Sequence, residues 1–341
     1  MRGLLALVGV AILIVTASDV VRTVFDIGRA GPVTGRLTAL LWRGVLGLRR
    51  RGASHRALQV LGIVILLSVV AGWLLAAAAG WTLVLNGSSA AVVDSVTGRP
   101  VGFWDRAYLA GGGLFTFSNG EFRGGAVGWR LALAATAANG LLLVTLSITY
   151  LLPVLEAASE RRNLAAYISC LGETPQEILL ATWDGSGLQE LHDHLVNLLP
   201  LLTDLAQRHL AYPVLHFFHS ADPRTGLAPR LAALDEALTI AEFAVDETVP
   251  LPRSVRAGRR ALRDFIDILL MFPIAVTESP PAPRVDRLAA RGVPLLSEER
   301  FAAALAGLEE RRRNLLVVVR EDGWDWDDVV RGDHAAAQHA A

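Results

Sequence analysis

Trp104-Asp105-Arg106-Ala107-Tyr108-Leu109-Ala110-Gly111-Gly112-Gly113-Leu114-Phe115-Thr116-Phe117-Ser118-Asn119-Gly120-Glu121 decides how this chain is read, because of what flanks it. Before it, Ala57 to Val93 runs 37 residues without a formal charge; after it, Leu131 to Leu155 runs 25. A helix needs about 20 apolar residues to cross a bilayer. Each run therefore suffices for one span. The quoted piece becomes a loop between two spans, with a helix-like start and a polar, glycine-containing end.

Composition agrees with a membrane protein that carries a soluble part. The 341 residues are 52% hydrophobic, and mean hydropathy is +0.42. The net charge of −1 conceals a split. Residues 1–155 hold 13 Arg and 5 acids, a balance of +8, whereas residues 156–341 hold 19 Arg and 28 acids, a balance of −9. Two domains in different settings follow from that asymmetry. Nucleic acid is disfavoured as a partner, since the basic half is also the apolar half. Lys is absent, which reads as the coding bias of a GC-rich bacterial genome. Cys170 is the only cysteine, so the chain forms no internal disulfide.

Gly3 to Ser18 is a 16-residue uncharged run behind Met1-Arg2. It satisfies a secretory signal loosely and a short first span equally. Eight Arg and two acids between Asp19 and Arg56 favour the span, because such a segment stays cytoplasmic. Residues 1–22 are thus an N-terminal transmembrane span and 23–56 a basic cytoplasmic or interfacial segment. Within it, Thr34 to Arg50 places Leu37, Leu40, Leu41, Val45 and Leu48 opposite Arg36, Arg43 and Arg50. That is an amphipathic helix with Thr34 as its cap, suited to anionic headgroups over 34–56 or to plain positive-inside flanking.

The two spans that flank the quoted loop run about 58–85 and 126–152, inside a domain at 57–155. Residues 156–320 read as a helical soluble domain. Thr174-Pro175-Gln176-Glu177 is a capping box with Pro at the first helical position. Helical periodicity follows over 188–209, 227–245, 254–271 and 297–313, Leu315 to Val319 suggests one short strand, and 321–341 is an acidic, solvated tail. No strand–glycine loop–helix unit for a nucleotide is evident.

The order of elements resembles the two-transmembrane potassium channel family, over roughly 57–155. Asp105, Ala107 and Tyr108 lie near the places of that family's pore-helix residues, and Thr116 follows Asp105 by 11 residues. Thr116-Phe117-Ser118-Asn119-Gly120-Glu121 then aligns with the filter, within a pore loop at 103–122. The resemblance implies an all-α membrane protein with a potassium-channel-like pore hairpin, an extra N-terminal span and a cytoplasmic helical domain. It implies a homotetramer in the inner membrane, conducting monovalent cations, potassium and possibly sodium, with no covalent cofactor. Ser118 and Asn119 replace a glycine and a tyrosine, so weak potassium selectivity is expected. Four copies of Glu121 would form a carboxylate ring. Gly140, 24 residues after Thr116, matches the gating hinge or a packing glycine, and Pro153 kinks or ends the inner helix. Asn139 is expected to face a cavity or a partner helix. The alternative is a non-conducting membrane sensor or scaffold that keeps the channel fold.

Other candidates carry little. His192 and His194 fall on different faces of a helix, and His216 and His219 lack a third metal ligand. No arrangement of nucleophile and base suggests an enzyme.

Overall fold

The computed structural model describes residues 1–26, 31–49, 55–117, 120–270 and 276–331. It divides into two compact units, Met1–Gly47 with Ile63–Leu155, and Leu48–Gly62 with Glu156–Ala341. Among the described residues, three helices are long and apolar enough to cross a membrane, within Arg2–Phe25, Val60–Leu85 and Val127–Leu171.

The first unit holds α1 (Arg2–Phe25), α2 (Pro32–Arg49), most of α3 (His55–Leu85), β1 (Val92–Asp94), α4 (Phe103–Leu114), β2 (Phe122–Gly124) and the start of α5 (Val127–Leu171). Small residues bring α1 onto α3: a Cβ on Gly9 would meet the Gly80 carbonyl oxygen at 2.5 Å, and one on Gly80 would meet Leu13 at 2.9 Å. Such close approach is how membrane helices gain packing where lipid offers no hydrophobic drive. The pairs Val92↔Gly124, Val93↔Arg123 and Asp94↔Phe122 make β1 and β2 an antiparallel ribbon. A cluster of Leu85, Ala91, Val92, Leu109 and Ala110 joins the ribbon, the end of α3 and α4.

The second unit continues with α6 (Pro175–Ala181), α7 (Gln189–Ala211), a 3-10 turn at Pro213–Phe217, α8 (Leu227–Phe243), α9 (Arg253–Leu269), α10 (Asp286–Ala290), α11 (Glu298–Ala306), α12 (Glu309–Glu321) and α13 (Asp327–Val330). Every residue of α8 from Leu227 to Ala241 is buried, so α8 is the axis on which α6, α9, α12 and α13 pack. At the start of α6 the Thr174 hydroxyl accepts from the Glu177 N–H at 3.3 Å. The Glu177 carboxylate accepts from Glu173 N–H at 3.1 Å, one residue earlier than a standard box.

Four sequence expectations need correction. Leu315 to Val319 is helical, inside α12: all five are buried, so helix-on-helix packing overrides the β preference of the valines. The 297–313 periodicity breaks at Gly307-Leu308 into α11 and α12. The described part of the acidic tail is not a free solvated segment, because Trp324 and Trp326 are buried along with Asp322, while Asp325 and Asp327 stay exposed. Thr34 is not the cap of α2, which starts at Pro32 and takes its cap from Asp19.

Candidate functional site

The short helix α4 is the core of the candidate site. Its first turn is fixed locally: the Asp105 carboxylate accepts from the Gly102 N–H at 3.0 Å. Arg106 is buried and spans to the end of α3, donating to the carbonyls of Leu85 (3.3 Å), Ser88 (3.0 Å) and Ser89 (3.1 Å). Carbonyls left over at a helix C-terminus favour a cation. Arg106 therefore seats α4 on α3.

The other end of α4 presses on α5. A Cβ at Gly140 would overlap the Leu114 carbonyl, and one at Gly113 would meet Thr136 at 3.3 Å. Helix-interior glycine costs about 1 kcal/mol; Gly112 and Gly113 use the missing side chain for close packing, whereas Gly111 faces open space. Gly140 thus has a packing reason in the described fold. Asn139 meets a partner helix, accepting from Trp81 Nε1 of α3 at 3.0 Å.

The helix closes in a Schellman arrangement. Phe117 N–H donates to Gly112 O at 2.8 Å and Thr116 N–H to Gly113 O at 3.0 Å. Thr116 sits where such a motif usually has glycine, with φ of +57°. It is the only non-glycine with positive φ among the described residues. For a β-branched residue that conformation is strained, and such strain gathers at functional segments. Its hydroxyl donates to the Phe115 carbonyl at 2.7 Å. Phe117 is exposed, Gly120 has φ of +77°, and Glu121 is exposed with its carbonyl accepting from Ser95 N–H at 2.8 Å. Ser118 and Asn119 lie outside the described residues. Pro153 does not end α5, which continues to Leu171.

Sequence reasoning missed a second feature. Asp19, buried near the end of α1, accepts from Val33 N–H at 2.7 Å, from the Thr34 hydroxyl at 2.5 Å and from Trp73 Nε1 at 3.0 Å. One carboxylate thereby caps α2 and ties it to α1 and α3. Tyr150 of α5 packs on Trp73 with ring centroids 6.0 Å apart. A Cβ at Gly31 would overlap the Asp19 carboxylate, so only glycine lets the chain turn there. The available signal was an acid within an apolar span, which is rare enough to mark a site.

In the second unit, Arg161 of α5 is buried and donates to the carbonyls of Leu215 (3.0 Å) and Phe218 and to the Asp322 carboxylate. Gly62 of α3 lies against the same turn, where a Cβ would meet Phe217 O at 2.9 Å. The Pro213–Phe217 turn thus touches both α3 and α5 within this unit. His219 accompanies Asp322, its Nδ1 2.6 Å from the Asp322 carbonyl oxygen and its ring stacked on Trp324. Burial opposes charge on Asp322, but Arg161 and His219 hold its pKa down at about 2. Burial, with Arg161 adding repulsion, lowers His209 to about 3 and His216 to about 4. His192 pairs with Ser254 at 3.0 Å and His194 with Tyr167 at 3.4 Å.

The Bacillus subtilis (strain 168) membrane protein YdjJ is 30% identical over 300 residues, covering 87% of each chain. No family model matches. No solved structure matches either.

Proposed function

The chain belongs to the family of the membrane protein YdjJ, and from the geometry around α4 we propose that it is a homotetrameric cation channel. The observation that carries the reading is α4, a 12-residue helix hung between two span-length helices. Arg106 anchors it to the end of α3, and Gly140 and Thr136 receive its other end on α5. The segment after it, Thr116 to Glu121, then returns to β2. Irregular backbone at membrane depth is tolerated where it lines a cavity, and four copies around an axis supply one. In this reading Thr116, Phe117, Ser118, Asn119, Gly120 and Glu121 line the path, and the C-terminal unit faces the cytoplasm at the inner membrane, as the Arg asymmetry favours. Gly140 and Pro153 would serve as the bending points of α5. Potassium permeates, and sodium follows it because Ser118 and Asn119 leave a wider, more hydrated filter.

The test is flux from purified protein in liposomes under potassium and sodium gradients, with Glu121→Gln alongside. Conduction that falls in the variant mainly at low salt is expected, since surface charge is least screened there. A tight protein with no flux for either ion favours the scaffold reading. The Thr116 hydroxyl, occupied by its neighbour's carbonyl instead of an ion path, is the observation on that side.

A further inference from the structure

α9 carries four arginines on its solvent face, Arg253, Arg256, Arg260 and Arg263, all exposed. At 100° per residue they fall within an arc of about 80°, over about 15 Å of helix. None has a carboxylate partner among the described residues. By contrast Arg224, Arg284, Arg287, Arg300, Arg313 and Arg320 of the same unit each hold one. Outside α9, Arg162 and Arg291 are the other exposed arginines there without a described partner.

The placement is also unfavourable within the molecule. Arg253 and Arg256 lie in the first turn of α9, which has no acid and no side-chain cap. Positive charge there opposes the helix dipole. Asp264 and Asp267 continue the face beyond the arginines and form no ion pair with them. The other face of α9 is fully used, with Val255, Leu262, Phe265 and Ile266 buried in the core. With four arginines against these two aspartates, and no ion pair to any of the four among the described residues, the face keeps an excess of positive charge, although the unit's overall charge is negative.

We propose that the α9 stripe docks on anionic phospholipid headgroups of the membrane that holds the spans. Three candidate spans keep that surface near the domain at high effective concentration. The face offers charge without any large apolar side chain, only Ala257 between the arginines. Contact is therefore superficial and salt-sensitive, each arginine strengthening it about fivefold. The inference rests on the proposed cytoplasmic placement for the sign of the lipid charge, and not on conduction.

The experiment uses the full chain in nanodiscs of phosphatidylcholine, with or without phosphatidylglycerol. A bimane is attached at Ala257→Cys in a Cys170→Ser background, and each disc contains the same fraction of headgroup nitroxide. Several-fold stronger quenching in the anionic discs, lost at high salt and in Arg256→Gln/Arg260→Gln/Arg263→Gln, is expected. The corresponding triple lysine variant should keep it, which separates charge from misfolding. Equal quenching in both discs overturns the proposal, as does quenching that survives in the glutamine variant. Protection of the label by polyglutamate, without a response to anionic lipid, overturns it in favour of an acidic protein partner. The readout involves no ion flow, so a silent flux assay leaves it standing.

Discussion

The two units bury charge in opposite ways. In the membrane unit, the buried ions Asp19 and Arg106 find backbone groups at helix ends: the acid at the N-terminus of α2, the base at the C-terminus of α3. In the helical unit, most buried ions find each other, while Arg230 donates to the carbonyls of Glu173 and Asp328. Arg312 holds Glu236 at 2.8 and 3.1 Å, Arg259 holds Glu242 at 2.9 Å, and Arg311 grips Asp235. A helix end supplies several oriented partial charges without a second ion to desolvate. A buried pair must repay the desolvation of both members. Ionic caps thus place short elements beside spans, while ionic pairs lock α12 and α9 onto α8.

The largest effect should come from breaking a pair. Glu236 is buried, and burial pushes its carboxyl upward against the offsetting contact with Arg312. Glu236→Ala leaves Arg312 with only the carbonyls of Pro280 and Pro281. A loss of about 3–5 kcal/mol is expected, read as lost hydrogen-exchange protection in α8 of the full chain. Replacing both members by Leu and Met should recover most of it. A single variant as stable as the parent would show that the pair is only geometry.

The helical unit should also respond to acid. His209 and His216 have folded pKa values of about 3 and 4, below the usual 6.5. The unfolded chain therefore takes up protons below 6.5 that the folded chain refuses until pH 4 and 3. Stability is complete above 6.5 and falls as pH drops towards 4. At pH 5 the loss is about 2 kcal/mol for each histidine. Exchange protection in α8 measured between pH 7.5 and 5 checks the slope, and His209→Gln should flatten it by about half. A flat profile in the parent would mean that the two rings are hydrated.

Legibility in the sequence followed the range of the interaction. The spans were legible because bilayer thickness is written directly as uncharged length, as in Ala57 to Val93. The Thr174–Glu177 cap was legible because its partners are three residues apart. Leu315 to Val319 was misread because local β preference has no information about the helices around it. The burial of the 321–330 stretch depends on Arg161, 161 residues before Asp322, and no periodicity encodes such a pair. In the candidate site, the position and length of α4 were readable, while Arg106 as its anchor and Thr116 as its strained closure were not. Both depend on which carbonyls lie nearby.

The smallest expected effect sharpens the comparison at its membrane end. Asp19 contributes both acceptors and charge to the start of α2. Asp19→Ala removes the partner of Val33 N–H, the Thr34 hydroxyl and Trp73 Nε1 together. Loss of a cap costs about 1–2 kcal/mol. Asp19→Asn keeps an acceptor oxygen and loses the charge, which at a helix N-terminus is worth about 0.3–1 kcal/mol. The expected order of exchange protection in the first turn of α2 is therefore Asp, Asn, Ala, measured in the same detergent. Asn as damaging as Ala would assign the clamp to charge alone. Unaltered protection in Ala would mean that α2 is held by its apolar face, and the membrane unit would then resemble the helical one in needing packing more than caps.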